Sequence, residues 1–314
     1  MNNIQHQEAV KKAVKPRFRG NTRLNSKTTP MYPDSAEREY ERIASAYMRL
    51  LNEELKKNLP VAMKAYSQYQ HGDSRFDDIR DLEEIVRGAF RKIAEALEQK
   101  VEKFGLGDMI RKVSRITKGT SLRGWKKSVK ATLGVDLMDG YYGDAFYEET
   151  IHRWVDENVM RIKSIPTESL GEMQEIMLNG IRRGKSVTAL SKEIQKKFNT
   201  SKSHAKMIAR DQVASLNAQL TKRQQQDAGC KYYRWSDSRD GRVRDCHRAL
   251  NGKVFSWDEP PEMWYNTKSR GRVSTGRRCH PGEDIACRCI AIPVFDIETI
   301  DIPIKESADR RGMK

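Results

Sequence analysis

From Tyr40 to Leu220 the apolar side chains recur every three or four residues, and at Gly229 that rhythm stops. A chain with this pattern must bury one stripe of each of several long helices and then change architecture. Ser35 suits an N-cap, with Glu37 and Glu39 in the first turn, where the positive end of the helix dipole favours acid. Tyr40, Ile43, Tyr47, Leu50, Leu51 and Leu55 follow on one stripe, and Pro60 is expected to end or kink the helix. A second helix is predicted over 76–104 on Ile79, Leu82, Val86, Phe90, Ile93, Leu97 and Val101, and shorter ones over 107–117 and 122–132. After the glycine-rich break at 133–143 another runs over 144–163, with Phe146, Ile151, Trp154, Val155, Val159 and Ile162 inward. Ile165-Pro166-Thr167 should stop it and start the next, because a residue before proline avoids the α region. Gly184 and Gly229 read as C-terminal caps, with two helices between them, the second opened by Ser201.

Beyond Gly229 the periodicity turns to that of strands. Lys231–Trp235, Lys253–Phe255 and Cys289–Phe295 are aromatic or β-branched runs, separated by segments rich in Gly, Pro and Arg. The fold class expected is mainly α, a helical N-terminal body followed by a small α+β module. The organisation read from the sequence is a basic arm over 1–34, expected to be disordered, a helical region over 35–143, further helices over 144–228, the module over 229–296 and a polar tail over 297–314.

Charge narrows the partners. The 314 residues carry 59 Lys and Arg against 43 Asp and Glu, a net charge of +16, with only 37% hydrophobic residues. Such a surplus favours a polyanion, since each neutralised phosphate releases counterions. The N-terminus has no apolar core of a secretory signal and no run of about 18 apolar residues occurs, so no membrane partner is expected. Five cysteines in such a chain read as reduced thiols or metal ligands rather than a disulfide framework.

Two segments concentrate the chemistry: DSRDGRVRDCHRALNGKVF, Asp237 to Phe255, and RRCHPGEDIACRC, Arg277 to Cys289. With NVMRIKSIP (158–166), NGIRRGKSVTALSKEI (179–194) and ARDQVASLNAQLTKRQQQDAG (209–229) before them, the order of segments resembles the Mu F-like phage head morphogenesis family. The resemblance covers about 144–296 and rests on D-x-R-V-R-x-x-H-x-x-L-x-G from Asp240 to Gly252, on P-G-x-D-x-x-C-R-C from Pro281 to Cys289, and on the helix bearing Arg210 and Asn217. It implies a minor head protein inside the capsid near the portal vertex, made in the host cytoplasm. Its partners would be the portal protein, with major capsid or scaffolding protein as further candidates, and its work head morphogenesis and the packaging or ejection of DNA. Some relatives carry a toxin or transferase domain after this module, so a remnant of such an enzyme is the competing implication.

The residues themselves allow three readings of the two segments. Cys246, His280, Cys287 and Cys289 are candidate ligands for a structural zinc, which wants four N or S donors; Cys287 and Cys289 would share a strand face. Asp240, Asp245, His247, His280 and Asp284 would be needed for a metal-dependent nuclease, but their spacing fits no such motif. Electrostatics gives the plainest reading, and it is non-enzymatic. Lys268, Arg270, Arg272, Arg277 and Arg278 form a cationic loop suited to non-specific contact with double-stranded DNA, and Lys11, Lys12, Arg17 and Arg19 of the arm are further candidates. Arg210, Asn217, Trp235, Asp240, Arg242, Arg244, His247 and Gly252 are assigned structural roles, with Arg–Asp pairs holding the two segments together.

Overall fold

The computed structural model describes residues 3–72 and 79–305. Among them the order is α1 Asn3–Phe18, β1 Arg23–Asn25, α2 Asp34–Gln70, α3 Ile79–Lys103, α4 Leu106–Leu133, α5 Asp144–Arg182, α6 Val187–Asp227, β2 Tyr232–Ser236, α7 Asp245–Leu250, β3 Val254–Ser256, β4 Glu262–Thr267, β5 Gly271–Arg278 and β6 Ile290–Asp296. The protein is mainly α with a small C-terminal sheet module, as the periodicity implies. Phe76, the expected start of the second helix, and residues 306–314 of the tail lie outside the described residues. No helix among them is long and apolar enough to cross a membrane.

The chain forms two compact units. One comprises 1–36, 114–154 and 211–314, the other 37–113 and 155–210. Both are assembled from stretches separated in the sequence rather than from consecutive regions. The second unit is a helical body whose core includes Leu51, Tyr66, Leu82, Val86, Phe90, Ile93, Met173, Met177 and Leu190. The predicted stripe of α3 is the buried one, from Leu82 to Leu97.

The helices are longer than their breakers suggested. Pro60 lies inside α2 and Pro166 inside α5. A proline in a helix interior costs about 3 kcal/mol, but the apolar stripe keeps phase across both sites. Ala62, Ala65 and Tyr66 are buried beyond Pro60, and Ile162, Ile165, Leu170 and Met173 flank Pro166. Tertiary burial rather than propensity decides helix length here. For the same reason the expected pair at 107–117 and 122–132 is the single helix α4, and the break at Ser201 is absent from α6. Gly184 and Gly229 do end helices, at φ of 67° and 73°.

The basic arm is also ordered, a correction to the expected disorder. Val10, Val14 and Phe18 of α1 are buried at a spacing of four, and β1 pairs antiparallel with β6, Leu24 opposite Phe295. Counting charge hid that stripe. The sheet runs β1-β6-β2-β3, while β4 and β5 form a separate two-stranded ribbon in what the sequence suggested was a loop. The fully buried β6 lies between β1 and β2, with Trp235 opposite Ala291.

Candidate functional site

The two chemistry-bearing segments fold against each other beneath the sheet. Trp235, Cys246, Trp257, Met263, Cys279, Cys287 and Cys289 belong to one apolar cluster. His247, on the short helix α7, is buried within the module, its ring edge-on to Trp235 with centroids 5.5 Å apart. Its two nitrogens have different neighbours. Nε2 lies 3.2 Å from Oδ2 of Asp284, and Nδ1 lies 3.5 Å from the sulfur of Cys287 and 3.5 Å from that of Cys289.

Asp284 organises this centre. Its side chain is 2% exposed, and it takes Nη1 of Arg244 at 2.9 Å on Oδ2 and Nη1 of Arg277 at 2.8 Å on Oδ1. The backbone N–H of Ile285 also donates to Oδ1, at 3.0 Å. Burial alone would raise its pKa, but His247, Arg244 and Arg277 outweigh burial and hold the carboxyl below its ordinary value. Burial likewise opposes charge on His247, and the bonds to Asp284 and Cys287 overcome it, raising the imidazole to about 9. The bond with Cys289, then that with His247, holds the Cys287 thiol well below the usual value. The same Cys287–Cys289 bond, with burial, pushes Cys289 up.

The turn carrying Asp284 is fixed by backbone geometry. Gly282 has φ of 86°, and a Cβ there would lie 2.9 Å from Ala218 Cβ and 3.2 Å from Ala214 O on α6. Ala286, a non-glycine residue at φ of 51°, donates its N–H to Oδ1 of Asp211 at 2.7 Å. The buried amide of Gln225 reaches Ala291 O at 2.9 Å. Neither Asp211 nor Gln225 carries a role in the motifs; a polar residue on the inward face of a long helix is the signal that finds them.

Of the four candidate zinc ligands, Cys287 and Cys289 come together, just before β6 rather than within it. The third donor gathered with them is His247, not His280 or Cys246. Nδ1 of His280 lies 3.0 Å from Tyr233 Oη, and its ring packs on Trp257 with centroids 4.9 Å apart. Cys246 adjoins His247 on α7, where successive side chains diverge by about 100°, so the two cannot both face the sulfur pair.

The other assigned residues sit as follows. Arg210 binds Glu37 at 3.0 Å, and Asn217 is buried on α6. Asp240 takes the N–H of Arg242 at 2.9 Å and the guanidinium of Arg288. The Arg242 side chain is largely exposed, 3.6 Å from Asp240. Gly252, at φ of 80°, donates to Trp235 O at 2.8 Å. In the ribbon, Lys268, Arg270, Arg272 and Arg278 are exposed, and the Arg272 guanidinium lies 4.3 Å over the Trp264 ring. Arg277, expected to face DNA, is taken by Asp284. On α1, Lys12 and Arg17 are exposed, as is Arg19 beyond it, and Lys11 is half-buried; the Arg17 guanidinium covers Gly134.

Residues 172–292, from the later part of α5 through β6, match the model of the family described as Phage Mu protein F like protein. A protein of Haemophilus influenzae, described as an uncharacterized protein, is 29% identical over 236 residues, 73% of this chain and 48% of that protein. The chain thus spans about half the length of the curated relative it matches. No solved structure matches.

Proposed function

We propose that this chain is a phage head protein, held inside the capsid at the portal. In this reading it acts in head morphogenesis and in the packaging or ejection of DNA, and it works by non-specific contact with DNA rather than by catalysis. The Mu F-like segment supports the head assignment. The observation that carries DNA contact is the β4–β5 ribbon, which presents Lys268, Arg270, Arg272 and Arg278 to solvent beside the exposed Tyr265. A ribbon of cations, with one guanidinium preorganised on an indole, suits phosphate contact without base readout. Portal protein, and major capsid or scaffolding protein, are the partners this reading requires.

The alternative, a metal-dependent nuclease, needs Asp240, Asp245, His247, His280 and Asp284 around one cation. Of the five only His247 and Asp284 meet, at 3.2 Å, and the other three take separate partners. Asp240 holds Arg288 and Arg242, Asp245 accepts from Asn266 at 3.0 Å, His280 meets Tyr233, and Asp284 serves Arg244, Arg277 and His247. That distribution favours the non-enzymatic reading.

Titration of duplex DNA against salt tests the contact. Neutralising about four phosphates gives a slope of about −3.6 in log K against log salt, a loss of roughly a hundredfold between 50 and 200 mM. Reversing Lys268, Arg270, Arg272 and Arg278 to Glu should flatten the slope. Salt-independent binding, plasmid cleavage with Mg²⁺ or Mn²⁺ that is lost in His247→Ala, or absence of the chain from purified virions would each sink the proposal.

A further inference from the structure

We propose that His247, Cys287 and Cys289 are the protein ligands of a zinc ion. The donor atoms Nδ1, Sγ and Sγ are buried and all lie within 4.8 Å of one another. Tetrahedral zinc, with Zn–S of about 2.3 Å and Zn–N of about 2.0 Å, separates a sulfur ligand from a nitrogen ligand by about 3.5 Å. Both sulfur–Nδ1 distances are 3.5 Å.

Hydrogen bonding alone accounts for only half of this arrangement. An imidazole nitrogen in the ring plane makes one good hydrogen bond, as donor or as acceptor, yet two sulfurs converge on this one. An ion between the three atoms satisfies all of them together. The opposite edge of the ring is built for the same purpose. Nε2 faces a carboxylate that can only accept, so Nε2 keeps its proton, and a metal binding at Nδ1 displaces the proton there. Carboxylate–histidine pairs of this kind orient metal ligands and raise their basicity, and Asp284 is itself fixed by Arg244 and Arg277. A zinc ion also removes the cost of a buried thiolate, because two thiolates neutralise its charge.

The donors are soft nitrogen and sulfur, which select zinc over magnesium or calcium. The fourth position falls to water or to Cys279, another buried cysteine of the same cluster. Asp284 is a positioning residue, acting through His247.

Full-length protein purified without chelator is examined by native mass spectrometry and elemental analysis, and the stripped protein is titrated with Zn²⁺ against a chromophoric chelator. One zinc per chain is expected. Cys287→Ser and Cys289→Ser should each weaken binding at least a hundredfold, Asp284→Asn by 10- to 100-fold, and Cys230→Ser not at all. Because a serine variant can fail to fold, Co²⁺ is also added to the unsubstituted protein, where sulfur-to-cobalt charge-transfer bands report thiolate ligation directly and count the thiolates. A protein that neither retains nor takes up zinc, zinc kept by the double variant Cys287→Ser/Cys289→Ser, or a Co²⁺ spectrum without thiolate bands would overturn the assignment.

Discussion

Asp284→Asn is nearly isosteric, so its effect isolates hydrogen-bond polarity at the centre of the module. Oδ2 accepts from Arg244 at 2.9 Å and His247 at 3.2 Å, while Oδ1 accepts from the Ile285 N–H at 3.0 Å and is ion-paired with Arg277 at 2.8 Å. Every neighbour is a donor. Whichever way an asparagine amide is turned, its NH₂ group faces two of them and two bonds are lost. With NH₂ in the Oδ2 position, the buried His247 N–H loses its acceptor, at about 1–3 kcal/mol. The Arg244 bond is charge-assisted, but its side chain is 44% exposed, so water replaces much of it and about 1 kcal/mol is lost. The sum is about 3 kcal/mol, or roughly a hundredfold in the opening equilibrium of the module. With two compact units in one chain, whole-chain denaturation is not two-state. The suitable measurement is therefore hydrogen exchange of the β2 and β6 amides, which reports local opening. Arg244→Lys, which spares His247 but gives up the guanidinium fork to Asp284 and Ile285 O, should cost about 1–2 kcal/mol. A change below about 0.5 kcal/mol in Asp284→Asn, the range of ordinary surface substitutions, would refute the claim that this carboxylate holds the segments together.

Other consequences follow from single observations. Gly282→Ala combines an unfavourable positive φ with a Cβ 2.9 Å from Ala218, so a loss of about 2–4 kcal/mol in the same exchange experiment is expected. Pro60 is exposed inside α2; Pro60→Ala should stabilise that helix by about 1–2 kcal/mol, read from slower exchange of the α2 amides. Burial raises Tyr47 and Tyr147 to about 12. Their neutral form is thus favoured by folding, stability is intact below pH 10, and about 3 kcal/mol per tyrosine is lost as pH rises from 10 to 12. Phenolate absorbance should then lag to the unfolding transition rather than titrate near pH 10, and Tyr147→Phe should reduce the lag.

Much of this was legible in the sequence, and the misses have physical causes. The buried stripe of α3 and the glycine stops at Gly184 and Gly229 follow from spacing and backbone freedom, both local properties. Pro60, Pro166 and Ser201 misled because a local breaker was weighed without the apolar contacts on either side of it. Val10, Val14 and Phe18 were hidden among lysines, although their spacing was in plain view. At the site, Cys287-x-Cys289 is readable as a pair, and Asp284 is readable as a carboxylate near the module's arginines, which it binds at Arg244 and Arg277. Choosing His247 over Cys246 or His280 required knowing which face of α7 turns inward, a tertiary fact with no local signal. The ribbon was missed because Gly271 and Gly276 look like loop formers in a segment that pairs as strands.

The ribbon and the Cys/His centre are mechanically one device. A two-stranded ribbon is marginal in water by itself, and β4–β5 is hydrogen-bonded to neither edge of the four-stranded sheet. Its base needs an anchor. Met263 supplies an apolar one, buried in the cluster with Cys279 at the end of β5, and Arg277 supplies a polar one by binding Asp284 at 2.8 Å. That carboxylate also orients His247, so the polar anchor links the centre directly to the ribbon. Arg277→Gln, which spares the carboxylate and the His247 bond, should therefore speed amide exchange across 262–278 while leaving β2 and β6 protected. It should also weaken DNA binding by more than the loss of one exposed cation, which removes about 0.9 from the salt slope. If exchange in the ribbon is unchanged and binding falls only by that single charge, the ribbon stands without Asp284, and the coupling argued from this geometry is wrong.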